Sequence, residues 1–126
     1  MQTTASKPVL WTGRVLSALP ALFMLFGIGF SLAKPDVVQE GFSKYGYPSQ
    51  TLRPIIFVEL TCVVLYMIPQ TAVLGAILLT GYLGGATATH VRAGEPFYIP
   101  VIIGVVFWLG LFLRDPRIRA LIPLRR

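Results

Sequence analysis

Four long apolar stretches divide the chain, and each approaches the length that a helix needs to cross a membrane. They cover about residues 15–33, 52–68, 72–90 and 97–113. Because the hydrocarbon core is about 30 Å thick and a helix rises about 1.5 Å per residue, roughly 20 apolar residues span it. The pattern therefore predicts an all-α integral membrane protein, a four-helix bundle that forms a single membrane domain over residues 1–126.

The links between the stretches, and their interruptions, bear on how the helices pack. Only Pro69–Thr71 separates the second stretch from the third, and so short a link joins antiparallel neighbouring helices. Pro20 lies inside the first stretch, where it removes a backbone donor, so we expect a kink there.

A cleaved signal peptide, with Ser31 and Ala33 at its cleavage site, is the competing interpretation of the first stretch. The apolar region is longer than that of a usual signal peptide, and we therefore expect a retained span.

Residues 34–51 are too polar to cross a membrane and too apolar for an ordinary loop. Asp36 is a candidate N-cap for a short helix that Gly46 and Pro48 would end. The apolar face of this helix would comprise Val37, Val38, Phe42 and Tyr45. We predict a short interfacial helix between the first and second spans, and a loop with scattered apolar residues is the alternative.

Composition supports a membrane protein and excludes several other classes. Apolar residues make up 55% of the chain, charged residues 13%, and the mean hydropathy is +0.72. A soluble domain carries roughly a quarter of its residues as charged ones, and a disordered chain is far less apolar. The lone Cys62 and the lone His90 are too few for a disulfide, a thiolate zinc site or a two-histidine haem site. We therefore expect no metal and no cofactor bound within one chain except a loosely held one.

The basic residues predict the orientation of the four spans. With four spans both termini share one side, and that side receives Lys7, Arg14, Arg114, Arg117, Arg119, Arg125 and Arg126. The opposite side receives Lys34, Lys44, Arg53 and Arg92. Because cytoplasmic loops carry the excess of lysine and arginine, we predict a multi-pass protein of the cytoplasmic (inner) membrane with both termini cytoplasmic. The basic residues flank a span without interleaved aromatic platforms, so no nucleic-acid partner is expected.

Glu59 is the most informative single residue, because a carboxyl group inside a span is costly unless it is paired, protonated or near water. Counting inward along antiparallel helices places it at the depth between Gly81 and Gly85. A hydroxyl of the third span, Thr87 or Thr89, could then donate a hydrogen bond to it. His90 could approach from the outer rim. A role in ligand or proton handling and a role in helix packing both remain open.

Small and aromatic side chains complete the candidate site. One face of the third span repeats Ala72, Ala76, Thr80, Gly84 and Ala88, with Gly81 and Gly85 beside them. Another helix should lie close to this face, within the bundle or from a second copy in a homo-oligomer. Aromatic rings of Tyr66, Tyr82 and Trp108 could form a flat slot for a quinone ring. The ligand-binding candidates are Glu59, Gly81, Tyr82, Gly84, Gly85, Thr87 and His90.

Five segments together resemble the DoxX-like family of small four-span bacterial membrane proteins. These are Gly41–Phe42, Gly46–Pro48, Glu59, Ile68–Ala72 and Thr80–Arg92, of which the last is the most specific. The resemblance implies a four-helix membrane bundle. The family takes its name from a relative that is the membrane subunit of a thiosulfate:quinone oxidoreductase, and other members are linked to redox or detoxification systems.

The resemblance leads to two expectations about function. The first is a subunit or anchor of a quinone-linked or redox system, with a bound quinone near Glu59 and a soluble or membrane redox partner, so that the chain is at most a membrane subunit of an oxidoreductase. The alternative is a structural protein, or one that handles protons or a small solute, with no enzymatic activity of its own. The single Cys62 argues against a thiol-relay version of the chemistry.

Overall fold

The computed structural model describes residues 6–125 and has helices and no strand over that range, which confirms the predicted all-α class. Arg126, one of the basic residues used to predict the orientation, lies outside the described residues. The helices are α1 (Lys7–Ala33), α2 (Pro35–Lys44), α3 (Leu52–Met67), α4 (Ala72–Arg92), α5 (Tyr98–Arg114) and α6 (Pro116–Leu121). Short 3-10 turns at Ser49–Thr51 and Pro69–Thr71 precede α3 and α4.

The four longer helices pack side by side, and each contacts two others. Helix α1 contacts α3 and α5, and α4 contacts the same two helices from the other side. Within residues 6–125, two segments, Lys7–Ala33 and Pro69–Arg92, are long and apolar enough to cross a membrane. Helix α5 is also apolar but has 17 residues, and α3 has 16. We call the end with Lys7 and Arg114 the terminal end, and the opposite one the distal end.

Helix α1 begins at Lys7, well before the apolar stretch that predicted it. Pro8 suits the first turn, where a backbone N–H has no helical acceptor, and its carbonyl accepts a hydrogen bond from the Thr12 hydroxyl at 2.8 Å. The helix continues through the buried Pro20. The kink at Pro20 stays a prediction.

A helix, α2, occupies the segment between the first two apolar helices. Its N-cap is Lys34, and Asp36 lies in its first turn without capping it, so the predicted N-cap was wrong. Pro35 explains the shift, because a proline is well accommodated at the first helical position. The C-terminal boundary follows Lys44, and Gly46 adopts a positive φ of 86°. The location of α2 on a membrane surface stays a prediction.

Close helix contacts do not lie where the small-residue pattern placed them. A Cβ added at Gly81, Gly84 or Gly85 would meet nothing within 4 Å, so no helix packs against these glycines. The close approach to α4 is instead at Gly75, where an added Cβ would overlap the backbone of Tyr66 on α3. Only the terminal half of the predicted face is closely packed, and its glycines in the distal half have no neighbour within 4 Å of an added Cβ.

Helices α1 and α5 also touch through glycines that the pattern did not single out. A Cβ at Gly13 would lie 2.8 Å from the carbonyl oxygen of Gly110, and one at Gly110 would lie 2.8 Å from the backbone nitrogen of Ser17. Such spacing requires residues without a side chain on both helices. These contacts fix the terminal end of the fold.

A polar cluster lies inside the apolar core near that end. The Tyr66 hydroxyl donates to the Phe107 carbonyl at 2.6 Å and lies 3.0 Å from the Ser17 hydroxyl oxygen. Ser17 in turn donates to the Gly13 carbonyl at 2.8 Å. The Tyr66 and Phe107 rings meet edge to face with centroids 4.7 Å apart, and the Arg114 guanidinium lies 5.1 Å from the Tyr66 centroid. Tyr66 therefore joins α1, α3 and α5.

Helix α6 turns back against the end of α5. Asp115 accepts hydrogen bonds from the Arg117 backbone N–H and from its guanidinium. Burial alone would raise the pKa of Asp115, but these bonds and the charges of Arg117 and Arg114 hold it below its ordinary value. Arg119 donates to the carbonyls of Phe112 and Leu113, which the end of α5 leaves without helical donors.

Candidate functional site

A single acidic side chain projects from the middle of α3 towards α4. Glu59 is partly buried, and its Oε2 accepts a hydrogen bond from the Tyr82 hydroxyl at 3.1 Å. Oε1 has no such bond among the described contacts. In apolar surroundings this bond fixes the carboxyl group in one orientation and leaves its second oxygen able to accept.

The partner of Glu59 differs from the expected threonine hydroxyls. Thr87 donates to the Leu83 carbonyl at 2.8 Å, and Thr89 donates to the Gly85 carbonyl at 2.9 Å. Threonines inside a helix commonly bond to the carbonyl four residues earlier, so their hydroxyls stay against their own helix. A tyrosine carries its hydroxyl at the far end of the ring, which lets Tyr82 reach α3.

Glu59 and Tyr82 open onto a cavity of about 510 Å³, which we call the Glu59 cavity. Its lining comprises Phe23, Met24, Phe26, Gly27, Phe30, Glu59, Tyr82, Leu83, Ala86, His90, Ile99, Pro100 and Ile103. The polar side chains among them are Glu59, Tyr82 and His90. An apolar cavity with a few converging polar groups, in this size range, is the usual form of a small-molecule site.

His90 has a defined tautomer in this arrangement. Its Nδ1 lies 2.7 Å from the Ala86 carbonyl oxygen. Since a carbonyl can only accept, Nδ1 carries the proton, and Nε2 of the neutral ring is an acceptor. The Tyr45 ring lies against the imidazole with centroids 5.7 Å apart.

The seven candidate residues do not converge on one cavity. Tyr82, Ala86 and His90 are spaced by four and share one face of α4, towards the Glu59 cavity. Gly81 and Gly85 line a neighbouring cavity of about 380 Å³ under Tyr45 and Tyr47, to which Tyr82 and His90 also contribute.

Gly84 and Thr87 lie on a third face of α4. They line a cavity of about 600 Å³ between α4 and α5, which we call the Trp108 cavity. The Glu59 cavity therefore contains Glu59, Tyr82 and His90 of the seven candidates, and the glycines and Thr87 border the spaces on either side.

The predicted aromatic slot is wrong. Tyr66 is in the core, with its hydroxyl on the Phe107 carbonyl, and Trp108 lines the cavity between α4 and α5. Tyr82 alone of the three rings borders Glu59. The sequence could not assign these rings to faces, because the rotation of α3 and α5 about their axes depends on packing with α1.

The family of this chain can be identified by comparison with known protein families. Residues 15–112 match the DoxX-like family, which is most of the chain and includes all of α2 to α4 and most of α1 and α5. The chain belongs to the DoxX-like family. No curated protein and no solved structure matches it. Together with the apolar helices, the family makes it a small membrane protein in a lipid bilayer.

This DoxX-like protein also has a polar network at its distal end that the sequence did not reveal. The Tyr45 hydroxyl donates to Glu95 Oε2 at 2.7 Å, and the hydroxyls of Tyr47 and Thr89 lie 2.6 Å apart. Arg92 donates to the Tyr45 carbonyl at 3.4 Å. The bond to Glu95 raises the pKa of Tyr45 above its ordinary value, and partial burial adds to the shift. The network holds the segment after α2 against the end of α4.

The packing of α4 against α5 can be tested by the fluorescence of Trp108, which lines the Trp108 cavity. The Trp108 indole N–H donates to the Thr80 hydroxyl at 2.7 Å. We expect Thr80→Val to shift Trp108 emission to shorter wavelength and to cost about 1 kcal/mol, because the indole N–H loses its acceptor. Emission spectra and thermal unfolding in a Trp11→Phe background, which leaves Trp108 as the only tryptophan, measure both effects. An unchanged spectrum would contradict this hydrogen bond.

Proposed function

We propose that this protein is a four-span bundle of the cytoplasmic membrane that holds a quinone-type ring in the Glu59 cavity. It serves there as a subunit or anchor of a redox system. Helices α1, α3, α4 and α5 are the spans, and α2 lies at the membrane surface. The mutual contacts of the four helices support this arrangement, since α3 and α5 are apolar and pack along both longer helices. Short spans are accommodated by local thinning of the bilayer at modest cost.

The orientation in this proposal puts both termini in the cytoplasm. Lys7, Arg14, Arg114, Arg117, Arg119 and Arg125 are the described basic residues at the terminal end. Excess lysine and arginine next to the spans favours the cytoplasmic side. The Glu59 cavity, nearer the distal end, then lies in the outer half of the membrane.

The observation that carries the proposal is the Glu59 carboxyl group, which Tyr82 orients inside a mostly apolar cavity. The α1 wall contributes the rings of Phe23, Phe26 and Phe30. Phe26 is 75% exposed, so this wall borders the lipid rather than another helix. A planar ring with a polar edge fits the aromatic wall and the carboxyl group, and its apolar tail can extend into the bilayer.

The redox chemistry in this proposal belongs to a partner. One cysteine, buried in the core, and one histidine are too few for a two-histidine haem site or for an iron–sulfur cluster held by one chain. The chain supplies a membrane-embedded site for the ring, and a second protein exchanges electrons with it. This division suits a subunit or anchor and needs no catalytic set within the chain.

Native mass spectrometry of the protein released from its own membranes in mild detergent tests the proposal. We expect a bound mass of quinone size with the wild type and its loss with Glu59→Gln. A carboxylate can accept from Tyr82 and from a ligand at the same time, whereas the single oxygen of the amide can serve only one side well. Glu95→Gln is the matched control, since Glu95 bonds to Tyr45 outside the Glu59 cavity.

The outcomes separate a site from a packing role. Loss of the ligand, or of a co-purifying subunit, in Glu59→Gln but not in Glu95→Gln supports the proposal. Retention of the ligand in both variants removes Glu59 from the site. A bare wild-type protein, unchanged by Glu59→Gln and by Glu59→Leu, would overturn the proposal in favour of a structural role.

A further inference from the structure

With Glu59 ionised and the ring of His90 neutral, the polar side chains that line the Glu59 cavity have acceptor atoms to spare and no donor that is not already engaged. Tyr82 has one hydroxyl proton, and it is given to Glu59 Oε2. The Nδ1 proton of His90 is given to the Ala86 carbonyl. The acceptor atoms of these lining residues that the two bonds leave over are Glu59 Oε1, the acceptor side of the Tyr82 oxygen, and His90 Nε2.

These acceptor atoms would bind the two redox forms of a quinone-type ring with different affinity. An oxidised quinone has two carbonyl oxygens, which can only accept hydrogen bonds. In the cavity they would face other acceptor atoms, and no hydrogen bond would form between them. The reduced hydroquinone has two hydroxyl groups, which can donate to a carboxylate and to an imidazole nitrogen. A buried polar group without a partner is costly, so the mismatch weakens binding of the oxidised form.

We propose that the Glu59 cavity selects a hydroxyl-bearing aromatic ring, the hydroquinone form, over the corresponding quinone. This inference rests on the proposed function and specifies its ligand class. Glu59, as a carboxylate, accepts one ring hydroxyl while Tyr82 holds it in place. His90 accepts through Nε2, which its bond to Ala86 keeps unprotonated in the neutral ring.

The α1 wall favours a ring over an aliphatic alcohol. Phe23, Phe26 and Phe30 recur at spacings of three and four, so their side chains lie along one face of α1. Flat aromatic groups stack well against such a face. Glu59 and Tyr82 belong to α3 and α4, so a ring stacked on α1 can turn its polar edge towards them.

A pair of probes that cannot change redox state tests the selection directly. The full chain in lipid nanodiscs is titrated with a 4-alkylphenol and with its methyl ether. The two share ring and tail, and only the phenol can donate. We expect the phenol to bind about tenfold more tightly. A short-tailed hydroquinone and its quinone, compared without oxygen, should differ in the same direction.

Two variants locate the preference. Glu59→Gln, which brings donor hydrogens into the cavity, should reduce the phenol-to-ether ratio several-fold. Tyr47→Phe should leave it unchanged, because the Tyr47 hydroxyl contacts Thr89 and does not line the Glu59 cavity.

The binding measurements distinguish a failure of this inference from a failure of the proposed function. If the ether binds as tightly as the phenol, or the quinone as tightly as the hydroquinone, the preference for donors is wrong, although a ring site remains. If none of the four probes binds, the ring site itself is wrong and the proposed function falls with it. A ratio that survives Glu59→Gln would overturn the assignment to this cavity.

Discussion

Gly75→Ala should destabilise the protein by roughly 3 kcal/mol, the upper part of the usual range for overpacking a well-packed interior. The added Cβ would overlap the backbone nitrogen and Cα of Tyr66 and lie 2.8 Å from the Leu65 carbonyl carbon. These are backbone atoms of α3, which cannot rotate aside as a side chain can. The helices α3 and α4 would have to separate along their contact.

That separation would reach beyond the mutated residue. Tyr66 donates to the Phe107 carbonyl on α5, so moving α3 away from α4 also disturbs the contact of α3 with α5. We therefore expect a clear fall in the midpoint of thermal unfolding in detergent, followed by circular dichroism or by tryptophan emission. The free energy of unfolding, from denaturant titration, gives the magnitude.

Gly84→Ala is the matched control on the same helix. An added Cβ at Gly84 meets nothing within 4 Å, so no overlap results. Alanine is also the better helix former, by up to about 1 kcal/mol. We expect stability equal to or above that of the wild type. Equal destabilisation by both substitutions would contradict the close approach at Gly75 and would point to a packed partner at Gly84.

The contrast between these glycines shows what a small-residue pattern can and cannot predict. The recurrence of small side chains every four residues correctly marks α4 as a helix with little bulk on one side. It does not say which neighbour approaches, because small residues occupy more than one face of this helix. Gly75 stands outside the repeat, and its role depends on where the backbone of α3 passes.

Helix positions were easier to predict than contacts, because local signals mark them. Pro69 and Gly46 lie at breaks between helices, and runs of apolar residues fill the helices themselves. The first turns of α1 were missed because residues 7–14 are less apolar than the stretch that follows. Their helical conformation depends on Pro8 and on packing of Gly13 against α5.

Only part of the candidate site could be predicted from the sequence, and the reason is physical. Glu59 could be singled out because an acidic residue in an apolar helix is costly wherever its neighbours lie. Its partner could not, since the pairing with Tyr82 depends on the rotation of both helices. Tyr45 and Tyr47 were assigned to an apolar face or a turn, and nothing local indicates that their hydroxyls meet Glu95 and Thr89 some 40 to 50 residues later.

Cysteine labelling should show that the terminal and distal ends of the protein lie on opposite sides of the membrane. The native Cys62 is buried and is first replaced by alanine, which leaves no thiol. Ser6→Cys then reports on the terminal end and Ala93→Cys on the distal end, both at exposed positions. An impermeant maleimide should label Ala93→Cys in intact cells and Ser6→Cys only after permeabilisation.

The expected side follows from the uneven distribution of charge. Of the described acidic residues outside the four long helices, Asp36, Glu40 and Glu95 accompany the basic residues of the distal end, whereas the terminal end has Asp115 alone. Lysine and arginine close to a span dominate the orientation, and they are more numerous at the terminal end. Labelling of Ser6→Cys alone in intact cells would invert the orientation. Labelling of both would require an even number of crossings between Ser6 and Ala93, so that α1, α3 and α4 could not all cross the membrane.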